Sequence, residues 1–329
     1  MAETTAVDLA ALAAKVQGLC PQSRAALLVG SAALSRRGPI GDYDVTALDP
    51  SVSLGKARRV DDRFDGLPLT ISAYHPRYFD SVCQVPQLIL PSLRDLRKFR
   101  DGLLLFDRDG EVEKTHRAIR ELRVPSESLR PFVEAVQTEG SSSEDGQATT
   151  AQDRLLFYYR LENMLFGWFH SRVEYRFSKP KWLFDDLRQL PSESLQILVH
   201  GLAEELLATG SLEELGAHLG QAAISARVPQ AVFYLEDAQK LLAVGQKAEA
   251  VPSLRMAAFT FCERWAFSKE RPYGDLRAIE DLLPSLGDSV EAADQAIRSI
   301  LLLDRPIESQ HFELWKASRA DFEAALDLP

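Results

Sequence analysis

Two short apolar runs joined through a glycine-serine pair constrain this chain most. Ala25 to Val29 is an uninterrupted apolar run that stops at Gly30-Ser31. Further on, Asp42-Tyr43-Asp44 opens a second run containing Val45, Ala47 and Leu48. Apolar runs this short, bounded by breakers, have the length of buried strands. Two acids at i and i+2 on a strand share one face. Side-by-side carboxylates repel each other. A hard cation such as Mg²⁺, which takes one or two carboxylates plus phosphate oxygens, relieves that repulsion. Gly30 lets the backbone approach a phosphate closely, and Ser31 at a helix start offers N–H and hydroxyl donors.

The pattern around these runs is mixed and then turns helical. Apolar residues at helical spacing predict a helix over 7–18, ended by Pro21. Strands are expected at 25–29, 43–48 and 67–74, and a further strand and tight turn at 102–110. Helices are expected at 54–64, with Gly66 as its C-cap, at 76–82, at 93–99 and at 111–122. Asp61, Asp62 and Asp65 are placed by this reading in a surface helix or turn. Glu139 to Gly146, rich in Gly, Ser and acids, reads as a linker. After it every periodic segment is helical: 153–170, 183–190, 195–209, 212–220, 230–244, 250–267, 275–285, 289–303 and 311–327. The division is therefore 1–137, a linker at 138–150, a helical domain at 151–228 and a second helical subdomain at 229–329. A short echo links Phe177-Ser178-Lys179 with Phe267-Ser268-Lys269.

Together, in this order, Val29-Gly30-Ser31 and Asp42-Tyr43-Asp44-Val45 resemble the signature of the polymerase-β-like nucleotidyltransferase superfamily. The similarity covers 1–137 and extends more loosely over 151–190. There, Tyr175 to Leu183 resembles a segment of small-molecule, aminoglycoside-type nucleotidyltransferases. The resemblance implies an α+β fold: a small mixed sheet with helices, followed by an all-helical region of one or two bundles that closes the site. It implies Mg²⁺ held by Asp42 and Asp44, and an NTP, ATP among the possibilities, gripped by Gly30 and Ser31. It also implies that Lys181, at a helix start, reaches the nucleotide phosphates; a surface role is the alternative. Lys179 is the weaker candidate of the same kind. Arg36 and Arg37 either flank the triphosphate or belong to a solvated loop.

The implied reaction moves a nucleoside monophosphate to a small-molecule hydroxyl and releases pyrophosphate. One departure bears on it. The family commonly places a third metal-binding acid where this chain has Thr70, between Leu69 and Ile71. A base from the helical half must then do more, and Glu162, set among apolar neighbours, is the candidate catalytic base; an exposed stripe is its other reading. The missing acid also motivates an alternative, a catalytically degenerate nucleotide-binding or regulatory module. A transferase acting on the tRNA 3′ end is a third reading.

Charge bears on the acceptor. Of a net −10, residues 1–137 carry 19 basic and 18 acidic side chains, and the remainder 19 and 30. A long nucleic acid needs a basic track, so nucleic acid is disfavoured as a partner and a cationic small molecule is favoured. The three cysteines, odd in number and widely spaced, fit a reducing cytoplasm rather than disulfides or a zinc site. The first residues lack a basic n-region, so no signal peptide is expected. No apolar run reaches membrane-spanning length.

Overall fold

The computed structural model describes residues 7–34, 41–83, 96, 98–121, 129–137, 151–171, 180–225, 227–268, 290–303 and 305–326. The chain is α+β and divides into two compact units. One comprises Met1–Ser128 with Phe169–Ser178, the other Leu129–Trp168 with Lys179–Pro329.

The first unit is built on a five-stranded mixed sheet. Its elements are α1 (Leu9–Leu19), β1 (Ala25–Val29), α2 (Gly30–Ala33), β2 (Tyr43–Leu48), β3 (Ala57–Phe64), β4 (Leu67–Tyr74), α3 (Pro76–Cys83), β5 (Leu103–Asp107) and α4 (Glu111–Arg120). The strand order is β3-β4-β2-β1-β5. The β2–β4 pair is parallel and the other pairs are antiparallel. Asp8 starts α1 by accepting the Ala11 N–H at 2.9 Å, which satisfies one of the donors a helix start leaves open. Leu12 and Val16 then bury one face of α1 against the sheet, beside Ala26, Leu28, Tyr43, Val45, Ile71 and Ala73. The opposite face buries Ala25 and Leu48 under Phe79, Phe99 and Ile119. This period-two division of β1 and β2 fixes their register.

The expected helix over 54–64 is not formed. Residues 57–64 are strand β3, paired with β4 from Ala57↔Tyr74 to Phe64↔Leu67. Gly66 is therefore not a helix cap. Asp65 (φ 53°) and Gly66 (φ 78°) form the two-residue link of a hairpin. Two consecutive positive φ values are what a type I′ turn needs, and Asp-Gly is a preferred pair there. Asp61 and Asp62 accordingly lie on a strand. Charged side chains along β3, including Arg58, Arg59 and Arg63, suit an edge strand, where they oppose pairing with another chain.

The second unit is helical: α5 (Arg130–Gln137), α6 (Ala151–Ser171, up to Trp168), a 3₁₀ turn (Pro180–Trp182), α7 (Leu183–Leu187), α8 (Glu193–Leu207), α9 (Leu212–Ser225), α10 (Pro229–Ala243), α11 (Lys247–Ser268), α12 (Val290–Ile300) and α13 (Ser309–Ala325). The α6 aromatics Phe157, Tyr158 and Trp168 are buried. Gly167 makes room for Phe322 of α13: a Cβ there would meet the ring at 2.5 Å. Ser192 caps α8 and also donates to Asp321 of α13 at 2.7 Å. The linker at 138–150, most of 93–99, Phe177-Ser178-Lys179 and Lys269 of the internal echo, and the helix expected at 275–285 lie outside the described residues. Cys20 and Cys262 are buried free thiols; burial pushes the Cys262 thiol up to about 12. No described helix is long and apolar enough to cross a membrane.

Candidate functional site

The antiparallel pairing of β1 and β2 brings the two sequence motifs together. Val29 is paired with Asp44, so the next residue, Gly30, is pressed against the Asp44 side chain. Gly30 has φ +77°, and a Cβ built on it would lie 2.9 Å from Asp44 Oδ2. Two constraints thus demand glycine: a left-handed backbone and a carboxylate in the space a side chain would need. Ser31 follows in α2 and is 7% exposed. Tyr43, between the two acids, is fully buried on the other face, edge-on to Phe64 at 5.2 Å. Asp42, immediately before β2, and Asp44 are both part-exposed.

On the face that Asp44 occupies, three polar side chains stand in one row across neighbouring strands. Thr70 is paired with Asp44 on one side and with Asp61 on the other. The Thr70 hydroxyl donates to Asp61 Oδ1 at 3.1 Å, and Arg59 Nε reaches the two Asp61 oxygens at 2.8 and 3.0 Å. The Arg59 hydrogen bond, then the one from Thr70, hold the Asp61 carboxyl below its usual range. Thr46, two residues past Asp44 on the same face, is fully buried, and its hydroxyl has no hydrogen-bond partner among the described residues.

Asp42 and Asp44 are the residues that could hold one Mg²⁺ together with phosphate oxygens; the space that a side chain at Gly30 would need is taken by the Asp44 carboxylate. The position of Thr70 does not suit a three-carboxylate, two-metal centre. Among the described residues, no three His, Cys, Asp or Glu side chains are grouped to hold a metal.

Arg36, Arg37 and Lys179 lie outside the described residues. Lys181 and Glu162 belong to the helical unit. Lys181 is not a surface side chain: its Nζ pairs with Asp237 Oδ1 at 3.2 Å, and both side chains are 9% exposed. Asp237, a residue the sequence reading did not single out, sits on α10 among buried apolar neighbours. Glu162 is part-buried rather than on an exposed stripe. Burial pushes its carboxyl up to about 7, with the Arg255 charge pulling the other way. Asp107, at the strand-to-turn junction, is occupied structurally: it accepts the backbone N–H of Asp109 at 3.3 Å and of Glu113 at 2.9 Å.

No family model matches the chain, and no curated protein matches its sequence.

Proposed function

We propose that the chain transfers a nucleoside monophosphate from an NTP to a small-molecule hydroxyl, releasing pyrophosphate, in the cytoplasm. The observation that carries this reading is the seat of Gly30 against the Asp44 carboxylate, which joins a phosphate-type loop to a cation-type acid on adjacent strands. Asp42 and Asp44 hold the cation, and the Gly30-Ser31 backbone and the Ser31 hydroxyl orient the terminal phosphates. When bound, Mg²⁺ neutralises charge developing on the phosphate oxygens. A carboxyl titrating at about 7 is matched to proton transfer at neutral pH, and the reading gives Glu162 that role toward the acceptor hydroxyl. Lys181 contributes to phosphate binding only by leaving Asp237, and the reading ranks it below Ser31.

The Thr70–Asp61 hydrogen bond favours a second reading, a module that binds Mg·NTP without turnover. One experiment separates the two. Calorimetry with Mg·NTP is run on the wild type and on Asp44→Asn, alongside mass spectrometry of incubations with each NTP and pools of acceptors. Transfer predicts binding, its loss in Asp44→Asn with an unchanged melting temperature, and an acceptor heavier by one nucleotide. Binding without an adduct selects the second reading. Equal affinity in wild type and Asp44→Asn removes both.

A further inference from the structure

Where α9 ends and α10 begins, the helical unit carries a groove of about 470 Å³. Nothing in it depends on the nucleotidyl-transfer reading. α10 is apolar on two faces. Ala231, Leu235, Ala238 and Leu241 turn inward and are buried. Pro229, Val232 and Phe233 stand at the spacing of a second helical stripe, closed by Glu236, and all four line the groove. Phe233 is 42% exposed, and Ile224, from the last turn of α9, is 67% exposed in the same groove. One apolar face holds an amphipathic helix in its own fold. The second face is surplus to that task.

The corner between the two helices adds a second observation. α9 closes with two backbone bonds, from the Arg227 N–H to the Ile224 carbonyl at 3.1 Å and from the Val228 N–H to the Ala223 carbonyl at 2.9 Å. That closure holds Arg227 in the left-handed region, at φ 55°, where glycine is the usual residue. Arginine is less favourable there than glycine, so the turn itself does not call for it. Arg227 lines the groove just before α10 starts, and Glu236 lines it two turns further on. Both are exposed, and neither forms an ion pair with a described residue. The apolar stretch thus has a cation at one end and an anion at the other.

We propose that this groove is a self-complementary contact with a second copy of the chain, α10 packing antiparallel on α10 about a two-fold axis. In such a contact one patch serves both copies. With the axis level with the step from Ala231 to Val232, Arg227 faces Glu236 of the second copy, and Glu236 faces its Arg227. Val232 then meets its counterpart beside the axis, and Phe233 lies over Pro229 of the second copy, each within one residue of register, or about 1.5 Å. A single choice of axis matches both charges and the apolar positions together. A partner of one charge sign would instead meet a like charge at one end of the groove, which is unfavourable. A contact two helical turns long is small beside the roughly 800 Å² per partner of a stable interface, so the dimer is weak and reversible.

The test follows the full chain by sedimentation velocity over a concentration series up to about 1 mM, the weak end of specific association. Sedimentation is expected to move from one chain toward two as concentration rises. Phe233→Ser, at an exposed position, should weaken the dimer by about tenfold or more. Arg227→Glu sets acid against acid at both ends of the contact, and Glu236→Arg sets base against base, so each alone should weaken it by about tenfold. An equimolar mixture of these two variants restores both Arg–Glu contacts and should dimerise nearly as well as wild type. Arg227→Gly separates this role from folding. It should hold or raise the melting temperature, because glycine suits the left-handed turn, and still weaken the dimer. A chain that stays monomeric throughout, a dimer untouched by Phe233→Ser or Arg227→Gly, or a mixture no tighter than its two components overturns the proposal.

Discussion

The two units fix the orientation of their elements by different means. In the sheet unit the backbone does it: strand ladders run without interruption from Ala57↔Tyr74 through Leu48↔Tyr74 to Ala25↔Leu48. Its large buried side chains, such as Tyr43, Phe79 and Leu28, are apolar or aromatic. Among the described residues the helical unit instead buries Arg154, Arg160 and Arg255, at 1%, 5% and 6% exposure. Arg154 of α6 donates to the carbonyls of Arg305 and Pro306, just before α13. Arg255 of α11 donates to the Leu202 carbonyl of α8 and lies 5.3 Å from the Tyr158 ring of α6. A helix spends its backbone hydrogen bonds on itself, so it has none left to orient a neighbour. A guanidinium, with five donors in a fixed fork, supplies that connection through a side chain.

The largest expected effect tests whether these arginines matter as much as the ladders. Arg154→Ala leaves two carbonyls without their donor, takes from Glu205 the guanidinium beside its Oε2 and opens a cavity, so it should destabilise the helical unit by about 4 kcal/mol. All four tryptophans, at 168, 182, 265 and 315, lie in that unit, so the fluorescence-detected denaturation midpoint reads it directly. An unmoved midpoint would break the comparison.

A somewhat smaller effect should appear on Glu162 and depend on pH. Its carboxyl is raised from an ordinary 4.5 to about 7, chiefly by burial. The folded chain holds this proton more tightly than the unfolded chain does. The contribution to stability is therefore complete below about 4.5 and is lost as pH rises through about 7. Glu162→Gln stays neutral throughout, so its stability relative to wild type should improve between pH 5 and pH 8 by up to about 3 kcal/mol. A pH-independent difference would mean that Glu162 is solvated.

The smallest effect sharpens the backbone side of the comparison. Gly30→Ala must accept a left-handed φ and a close approach to Asp44, which together should cost about 2 kcal/mol. Amide exchange in β1 and β2 should accelerate, and the tryptophan-detected transition should move less than it does in Arg154→Ala.

Legibility followed the same division. The strands at 25–29, 43–48 and 67–74 were readable because apolar runs and breakers mark strand ends, whereas the Val29↔Asp44 and Thr70↔Asp44 registers, which seat Gly30 against Asp44, come from the pairing of the strands. β3 was misread because Arg58 to Phe64 is mostly charged. An edge strand needs only one covered face and one paired side, so it carries little apolar signal; Asp65-Gly66 was the clue, taken for a helix end. In the helical unit periodicity located most helices, yet Asp237 under Lys181 and the carbonyls under Arg154 were invisible. Those contacts join residues 56 and about 150 positions apart, and helical spacing says nothing about which helix lies opposite.

The seating of α13 has a consequence for biosynthesis. Phe322 fills the space left by Gly167, Asp321 holds the start of α8, and His311 meets its end. While a ribosome is still adding residues before 309, α6 and α8 present an open apolar seam and a buried arginine without its carbonyls. The sheet unit meets no such delay, since most of its chain precedes residue 129. Nascent chains stalled near residue 300 should therefore carry an ordered sheet beside helices that holdase chaperones recognise, and release of that chaperone should coincide with the emergence of α13 from the exit tunnel.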